Sequence, residues 1–271
     1  MEIYGLIGYP LAHSFSSKFF NQKFQREGIH AEYFNFEIEE VTEVRRVVLS
    51  SPRIKGLNVT IPLKEAILPF LNEITPEAKA IGAVNTIRVE RSPDNRHDYR
   101  LMGHNTDNEE TDEDLISAKY RLVGHNTDYV GFRESITPII NPAKHRNALI
   151  LGTGGASKAV TYALTDMGIG WKLVSRTPTE EQLSYDELSP EILNSHTVIV
   201  NATPVGTFPN VNQCPPIPYD CLTPHHLLYD LVYNPEETLF LKKGKERGAS
   251  VKNGREMLER QALAAWDFWN E

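Results

Sequence analysis

Two α/β domains are predicted for this chain, an N-terminal, mainly parallel one and a doubly wound nucleotide-binding one. Three observations predict them. First, Ala148–Leu151 is a short apolar run followed at once by Gly152, Gly154 and Gly155. A helical stretch, Ala156–Met167, is then closed by Gly168, and a second apolar run covers Trp171–Val174. Strand, glycine turn, helix and strand in about 30 residues is the size of a nucleotide-binding βαβ module. Second, residues 1–90 alternate apolar runs with helical stretches at least twice, the pattern of a mainly parallel sheet with flanking helices. Third, 271 residues suit two medium domains or one large one.

Glu2–Gly8 reads as the first strand, broken by Tyr9-Pro10. Ser14 and Ser16 precede an amphipathic helix from about Lys18 to Glu27, with Phe19, Phe20 and Phe24 on one face. One of the two serines caps it, and two hydroxyls at a helix N-terminus also suit a carboxylate. Glu32–Ile38 reads as a strand, Val41–Leu49 as a helix, and Lys55–Ile61 as a third strand ended by Pro62. Leu63–Leu71 continues as a helix with Pro62 at its first turn. Asn58 and Thr60 share one strand face, and Lys64 lies just beyond. Two polar groups on a strand with a lysine at its tip fit a site; they also fit a half-exposed edge strand. Thr75–Ile81 reads as a short helix opened by Pro76, and Gly82–Val89 as a turn and strand.

The next stretch is unusual. Tyr99–Asp107, Tyr-Arg-Leu-Met-Gly-His-Asn-Thr-Asp, returns 21 residues later as Tyr120–Asp128 with Val in place of Met. An acidic linker, Asn108–Lys119, joins them, so residues 90–123 contain a duplicated insert. Two copies are too few for a solenoid. One structural slot takes one copy, and the second runs on into a helical Tyr-Val-Gly-Phe-Arg-Glu-Ser-Ile. The functional aspartate is therefore assigned to Asp128, with Asp107 in an extended loop or extra hairpin. Further on, His196–Asn201 and Leu227–Val232 read as buried strands, Thr238–Arg247 as a helix, Ser250–Lys252 as a short strand and Arg255–Trp269 as the last helix. Met257, Leu258, Leu263, Trp266 and Trp269 form its expected core stripe. Gln261 lies one turn beyond Met257, where a glutamine is ordinarily a surface residue.

Glycines at 152, 154 and 155, followed by Ala156, let backbone approach a pyrophosphate while the helix N-terminus offers N–H groups and a positive dipole end. The strict pattern fails at Ser157, so the glycines alone also fit an ordinary βα turn; Ala159 is small enough for helix–strand packing. The second strand ends in Ser175-Arg176-Thr177, where an NAD site usually carries an acidic residue. A cation and two hydroxyls suit a 2′-phosphate, so NADP is expected ahead of NAD, although Arg176 also fits a solvated surface cation. A net charge of −8 argues against general nucleic-acid binding. No apolar run approaches the roughly 18 residues of a membrane span, and no leader pattern opens the chain. Cys214, Cys221 and the nine histidines show no metal-ligand spacing, so no metal and a reducing cytoplasm are expected.

The assembled motifs resemble the shikimate dehydrogenase family over nearly the whole chain, in order. They are Gly-Tyr-Pro-Leu-Ala-His-Ser-Phe-Ser at 8–16, Asn-Val-Thr-Ile-Pro-Leu-Lys at 58–64, Gly-Ala-Val-Asn-Thr at 82–86 and Asn-Thr-Asp-Tyr-Val-Gly-Phe at 126–132. Gly-Thr-Gly-Gly-Ala at 152–156, Asn-Ala-Thr at 201–203, Tyr-Asp-Leu-Val-Tyr at 229–233 and Asn-Gly-Arg-Glu-Met-Leu-Glu-Arg-Gln-Ala at 253–262 complete the set. The resemblance implies reversible NADPH-dependent reduction of 3-dehydroshikimate to shikimate, in the pathway to aromatic amino acids, by a monomer or homodimer. It implies a substrate domain of residues 1–127 with 253–271, a Rossmann cofactor domain of residues 128–252, and an active site in the cleft between them. By motif, Ser14 and Ser16 would hold the substrate carboxylate, and Asn58, Thr60, Asn85 and Gln261 would bond its hydroxyls. Lys64 and Asp128 would be the catalytic pair. NADP would lie on Gly152, Gly154, Gly155, Ala156 and the Ser175–Thr177 segment, with Thr203, Tyr233 and Gly254 near the nicotinamide end; no metal is implied. The chain departs from the family at Ser175 (usually Asn), Glu180 (usually basic), Ser17 (usually Pro), Thr207 (usually Met) and in the duplicated Asn-Thr-Asp. The alternatives are a quinate/shikimate or related polyol dehydrogenase using NAD, and a non-catalytic ligand-binding relative.

Overall fold

The computed structural model describes residues 1–11, 14–91 and 119–271. The first copy of the repeat, with Asp107, and most of the acidic linker lie outside the described residues. The chain forms two compact units, Met1–Asn126 with Ala265–Glu271, and Thr127–Ala264. The division falls inside the last helix, so residues 253–264 group with the second unit.

The first unit holds a six-stranded sheet of β1 (Glu2–Gly8), β2 (Ala31–Glu37), β3 (Ile54–Val59), β4 (Glu73–Ile74), β5 (Thr86–Arg91) and β6 (Tyr120–His125), in the order β2-β1-β3-β5-β6-β4. Its helices are α1 (Phe15–Glu27), α2 (Val44–Ser50), α3 (Leu63–Ala66) and α4 (Pro76–Ile81). One sheet face carries Ile3, Ile7, Leu57, Val59 and Ile87 into a core shared with Val44 and Val48 of α2. The other face carries Tyr4 and Tyr33, which meet Phe20 of α1 and Trp269 near the C-terminus.

Three expectations for this unit change. The α1 helix starts at Phe15 rather than Lys18, because Ser14 is its cap. The third strand stops at Val59, because Leu63 bonds back to the Thr60 carbonyl and closes a turn. The helix expected over Leu63–Leu71 is α3 followed by a 3-10 turn at Leu68–Phe70, since Pro69 lacks the N–H a helix needs there. The sheet is mainly parallel, as expected, with one reversed strand that makes it mixed: β1 runs parallel to β2 and β3, and β4 to β6, while β5 is antiparallel to β3 and β6. The physical cause is the route of the chain. Thr86 at the start of β5 lies opposite Asn58 near the end of β3, so β5 enters the sheet where β3 leaves it.

The second unit holds β7 (Asn147–Leu151), β8 (Gly170–Ser175), β9 (Leu183–Ser184), β10 (Val198–Asn201), β11 (Leu227–Asp230) and β12 (Ser250–Lys252), in the order β12-β11-β10-β7-β8-β9. Every pair is parallel. Its helices are α5 (Asp128–Ile136), α6 (Gly155–Asp166), α7 (Pro190–Ser195), α8 (Leu239–Glu246) and α9 (Arg255–Trp269), the last of which runs on into the first unit. Alternate strand residues feed two cores. Ala148, Ile150, Val198 and Val200 face one side, and Leu149, Leu151, Ile199 and Leu228 the other. The strand order reverses between β7 and β10, and ligands of such sheets bind outside the carboxyl ends at that switch.

Along α9 the expected stripe holds at Met257 and Trp269 but not at Leu263, which is exposed; Gln261 is buried instead. Among the described residues no helix is long and apolar enough to cross a membrane. Trp269 is buried, and its ring fills the space a Cβ on Gly56 would take, 2.5 Å from it. Trp269→Ala is expected to cost about 3–5 kcal/mol, read as a lower urea midpoint; an unchanged midpoint would contradict this packing.

Candidate active site

In the first unit the polar residues gather at the end of β3. The Val59 N–H donates to the Asn85 carbonyl at 2.8 Å, and the Asn58 side-chain amide donates to the same carbonyl at 3.4 Å. The Val84 N–H donates to the Lys64 carbonyl at 2.8 Å. Asn58, Lys64 and Asn85, which stand apart in sequence, are thereby fastened together. Asn58 and Asn85 are buried and Lys64 half-buried in the first turn of α3. Thr60 stands in the turn just past β3, half-buried, its N–H on the Ile7 carbonyl at 3.0 Å.

Tyr33 extends this cluster, and nothing in the sequence marked it. Its hydroxyl donates to Asn58 Oδ1 at 2.8 Å and also bonds the Ser16 side chain. Burial pushes the Tyr33 phenol well above its ordinary range, so it stays a neutral donor. Because Oδ1 takes the Tyr33 hydrogen, the Asn58 amide presents its N–H side toward the Asn85 carbonyl. Ser14 caps α1 by accepting from the Ser17 N–H at 3.3 Å, which uses a lone pair and leaves its hydroxyl hydrogen to donate.

In the second unit Asp128 opens α5 and is buried, at the end of the helix where the macrodipole favours a carboxylate. A Cβ on Gly131 would meet the Met257 carbonyl at 2.5 Å and the Gln261 amide at 2.9 Å, so α5 and α9 touch backbone to backbone. That close approach brings Thr127 Oγ1 to 3.5 Å from Gln261 Oε1 and buries the glutamine beside the start of α5. Context from another helix thus overrides the surface preference of glutamine.

The glycine turn lies at the carboxyl end of β7. Gly152 adopts φ +105°, and a Cβ there would meet Thr203 Cγ2 at 2.9 Å. Gly154 caps α6 with an ordinary φ of −79°, and a Cβ on it would meet nothing within 4 Å. Neither backbone strain nor the protein's own atoms demand glycine at 154. Ser157, where the strict pattern fails, is buried and bonds the Gly154 carbonyl at 2.6 Å. Gly155 and Ala156 form the first turn of α6. At the end of β8, Ser175 is buried and accepts from the Thr177 N–H at 3.2 Å, while Arg176 and Thr177 are exposed. The Gly254 N–H donates to the Val232 carbonyl at 3.1 Å, and Tyr233 is exposed. Among the described residues no group of three His, Cys, Asp or Glu is placed to hold a metal ion.

Residues 6–87 match the family model described as the shikimate dehydrogenase substrate binding domain. A shikimate dehydrogenase (NADP(+)) of Clostridium beijerinckii is 37% identical over 282 residues, covering 100% of this chain and 93% of the relative. The chain belongs to the shikimate dehydrogenase family. Among solved structures, the shikimate dehydrogenase of Aquifex aeolicus is similar with a TM-score of 0.78 and 33% identity, covering 100% of this chain and 92% of that one. That of Thermus thermophilus, in complex with NADP(H) and shikimate, is similar with a TM-score of 0.76 and 30% identity, covering 99% and 93%. Within this shikimate dehydrogenase fold, motif reading singled out residues with distinctive spacing and passed over Tyr33, which stands in a strand read from the sequence but carries no motif.

His125, from the second copy of the repeat, is tied to this region. Its carbonyl accepts from the Asn85 N–H at 3.1 Å, and its Nδ1 lies 2.7 Å from Thr75 Oγ1. Thr75 Oγ1 also accepts from the Ala78 N–H as the cap of α4. Burial lowers the His125 pKa, against smaller opposing effects of Glu77 and Glu271. A depressed folded-state pKa means stability that is present above the ordinary histidine range and lost as pH falls through the folded value. The urea stability of wild type is expected to drop between pH 7.5 and 5.5 more than that of His125→Asn. Equal drops would remove His125 from the acid limb.

Proposed function

We propose that this chain catalyses the reversible NADPH-dependent reduction of 3-dehydroshikimate to shikimate. The observation that carries this reading is the cluster at the end of β3, where Asn58, Lys64 and Asn85 are bonded together and Tyr33 joins them to Ser16. A small ring carrying a carboxylate, hydroxyls and one reducible carbonyl matches that set. Ser14 and Ser16 hold the carboxylate at the start of α1, where hydroxyl donors and the positive dipole end act together. Asn58, Thr60, Asn85 and Gln261 bond the ring hydroxyls.

NADPH, when bound, supplies the hydride for the carbonyl carbon. Lys64 gives a proton to the oxygen that gains negative charge and takes it back in the oxidation direction. Asp128 supplies the carboxylate of the catalytic pair. The dinucleotide is held by Gly152, Gly154, Gly155 and Ala156 at the start of α6, and Ser175, Arg176 and Thr177 take the 2′-phosphate. Thr203, Tyr233 and Gly254 flank the nicotinamide end. The free thiols Cys214 and Cys221 suit a reducing, cytoplasmic compartment.

The test is the rate of nicotinamide reduction, followed by absorbance, with shikimate and either NADP or NAD. NADP is expected to be the better cofactor. Lys64→Ala and Asp128→Asn are each expected to lower kcat by roughly 10²-fold or more, with Asp107→Asn close to wild type. No turnover of shikimate with either cofactor would sink the reading, and loss in Asp107→Asn alone would move the catalytic role to the first copy of the repeat.

A further inference from the structure

We propose that Asp230 is a positioning residue for cofactor binding, which acts through Asn201 to hold the Thr203 loop against the first glycine of the nucleotide turn. The proposal rests on the reading that this edge of the sheet binds NADP. Asn201 and Asp230 are register partners at the ends of β10 and β11, both fully buried, and β10 borders the switch point. Asp230 Oδ1 accepts from Asn201 Nδ2 at 2.9 Å and from the Val232 N–H at 3.0 Å. Its Oδ2 accepts from Thr238 Oγ1 at 2.5 Å. Three donors therefore converge on one carboxylate.

That convergence decides which way the Asn201 amide points. With Nδ2 on the carboxylate, Oδ1 must face the loop, where it accepts from the Thr203 N–H at 3.1 Å and from Thr203 Oγ1 at 2.6 Å. Thr203 Oγ1 in turn accepts from the Val205 N–H at 3.2 Å. The Thr203 hydroxyl has thus spent its hydrogen inside the protein, so it braces the loop rather than donating to a ligand. Its methyl is what reaches the glycine turn, at Gly152.

A carboxylate fits this position better than an amide, because an amide brings two donors to a place that needs only acceptors. Burial pushes the Asp230 pKa up to about 6, with the three hydrogen bonds opposing it. None of the ion pairs among the described residues includes Asp230. A buried carboxylate without a cation is a poor device for stability alone. Orientation of the loop gives it a reason to be there.

The experiment compares wild type, Asp230→Asn, Thr203→Val and the double variant by NADPH fluorescence titration, shikimate KM at saturating NADP, and urea unfolding. Thr203→Val keeps the branched shape and removes only the hydroxyl. Each single variant is expected to weaken NADPH binding roughly five- to fiftyfold, as for a buried polar partner lost, with the shikimate KM unchanged. The double variant is expected to be no worse than the weaker single, because both break one chain of contacts. Unchanged NADPH affinity in Asp230→Asn with a lower unfolding midpoint would overturn the proposal and leave Asp230 as a packing residue. If Asp230→Asn does not fold, unchanged affinity in Thr203→Val overturns it equally. Wild type that binds neither NADPH nor NADH would overturn the cofactor reading, and the brace with it.

Discussion

The hydrogen bond from the Val59 N–H to the Asn85 carbonyl fixes where β3 ends and where the chain re-enters the sheet. A buried N–H at a strand end needs an acceptor, and here the acceptor comes from the turn that leads into β5. Asn58 bonds the same carbonyl, and Lys64 accepts from Val84 one residue earlier. Direction follows from this pairing: β5 must run back along β3, and the sheet becomes mixed. A parallel β5 would start at the other edge of the sheet, leaving Asn85 far from Asn58 and Lys64.

The second unit meets the same demand differently. Its strands are all parallel, so their carboxyl ends share one edge, and side chains have to satisfy the polar groups there. Asn201 and Asp230 do so for neighbouring strands, and through Thr203 they reach the glycine turn after β7. Gly152 and Gly154 then answer different needs. The first makes room for a neighbouring loop, whereas the second faces open space. The two glycines of one motif thus stand in different surroundings.

Much of this architecture was legible in the sequence. The β1 strand, the strand–turn–helix around Gly152 and the long last helix follow from local periodicity and capping, which depend on residues within a few positions of each other. Elements two residues long, β4 and β9, carry no periodicity, and α7 is a six-residue helix opened by Ser189 and Pro190. The face of α9 was misread at Leu263 for another reason. The helix serves two cores, with Met257 in one and Trp269 packed on Tyr4 in the other, so a single stripe does not describe it.

By itself the sequence determined the motifs, their order and the family, because residue type and spacing carry that information directly. It also determined that a serine caps α1, where the Ser14 hydroxyl meets an N–H three residues on. Tertiary structure alone decided the direction of β5, the burial of Gln261 against Gly131, the bond from Tyr33 to Asn58 and the pairing of Asn201 with Asp230. Each of these joins residues far apart in the chain. Which donor meets which acceptor then depends on which strands and helices become neighbours, and no local pattern of residues encodes that.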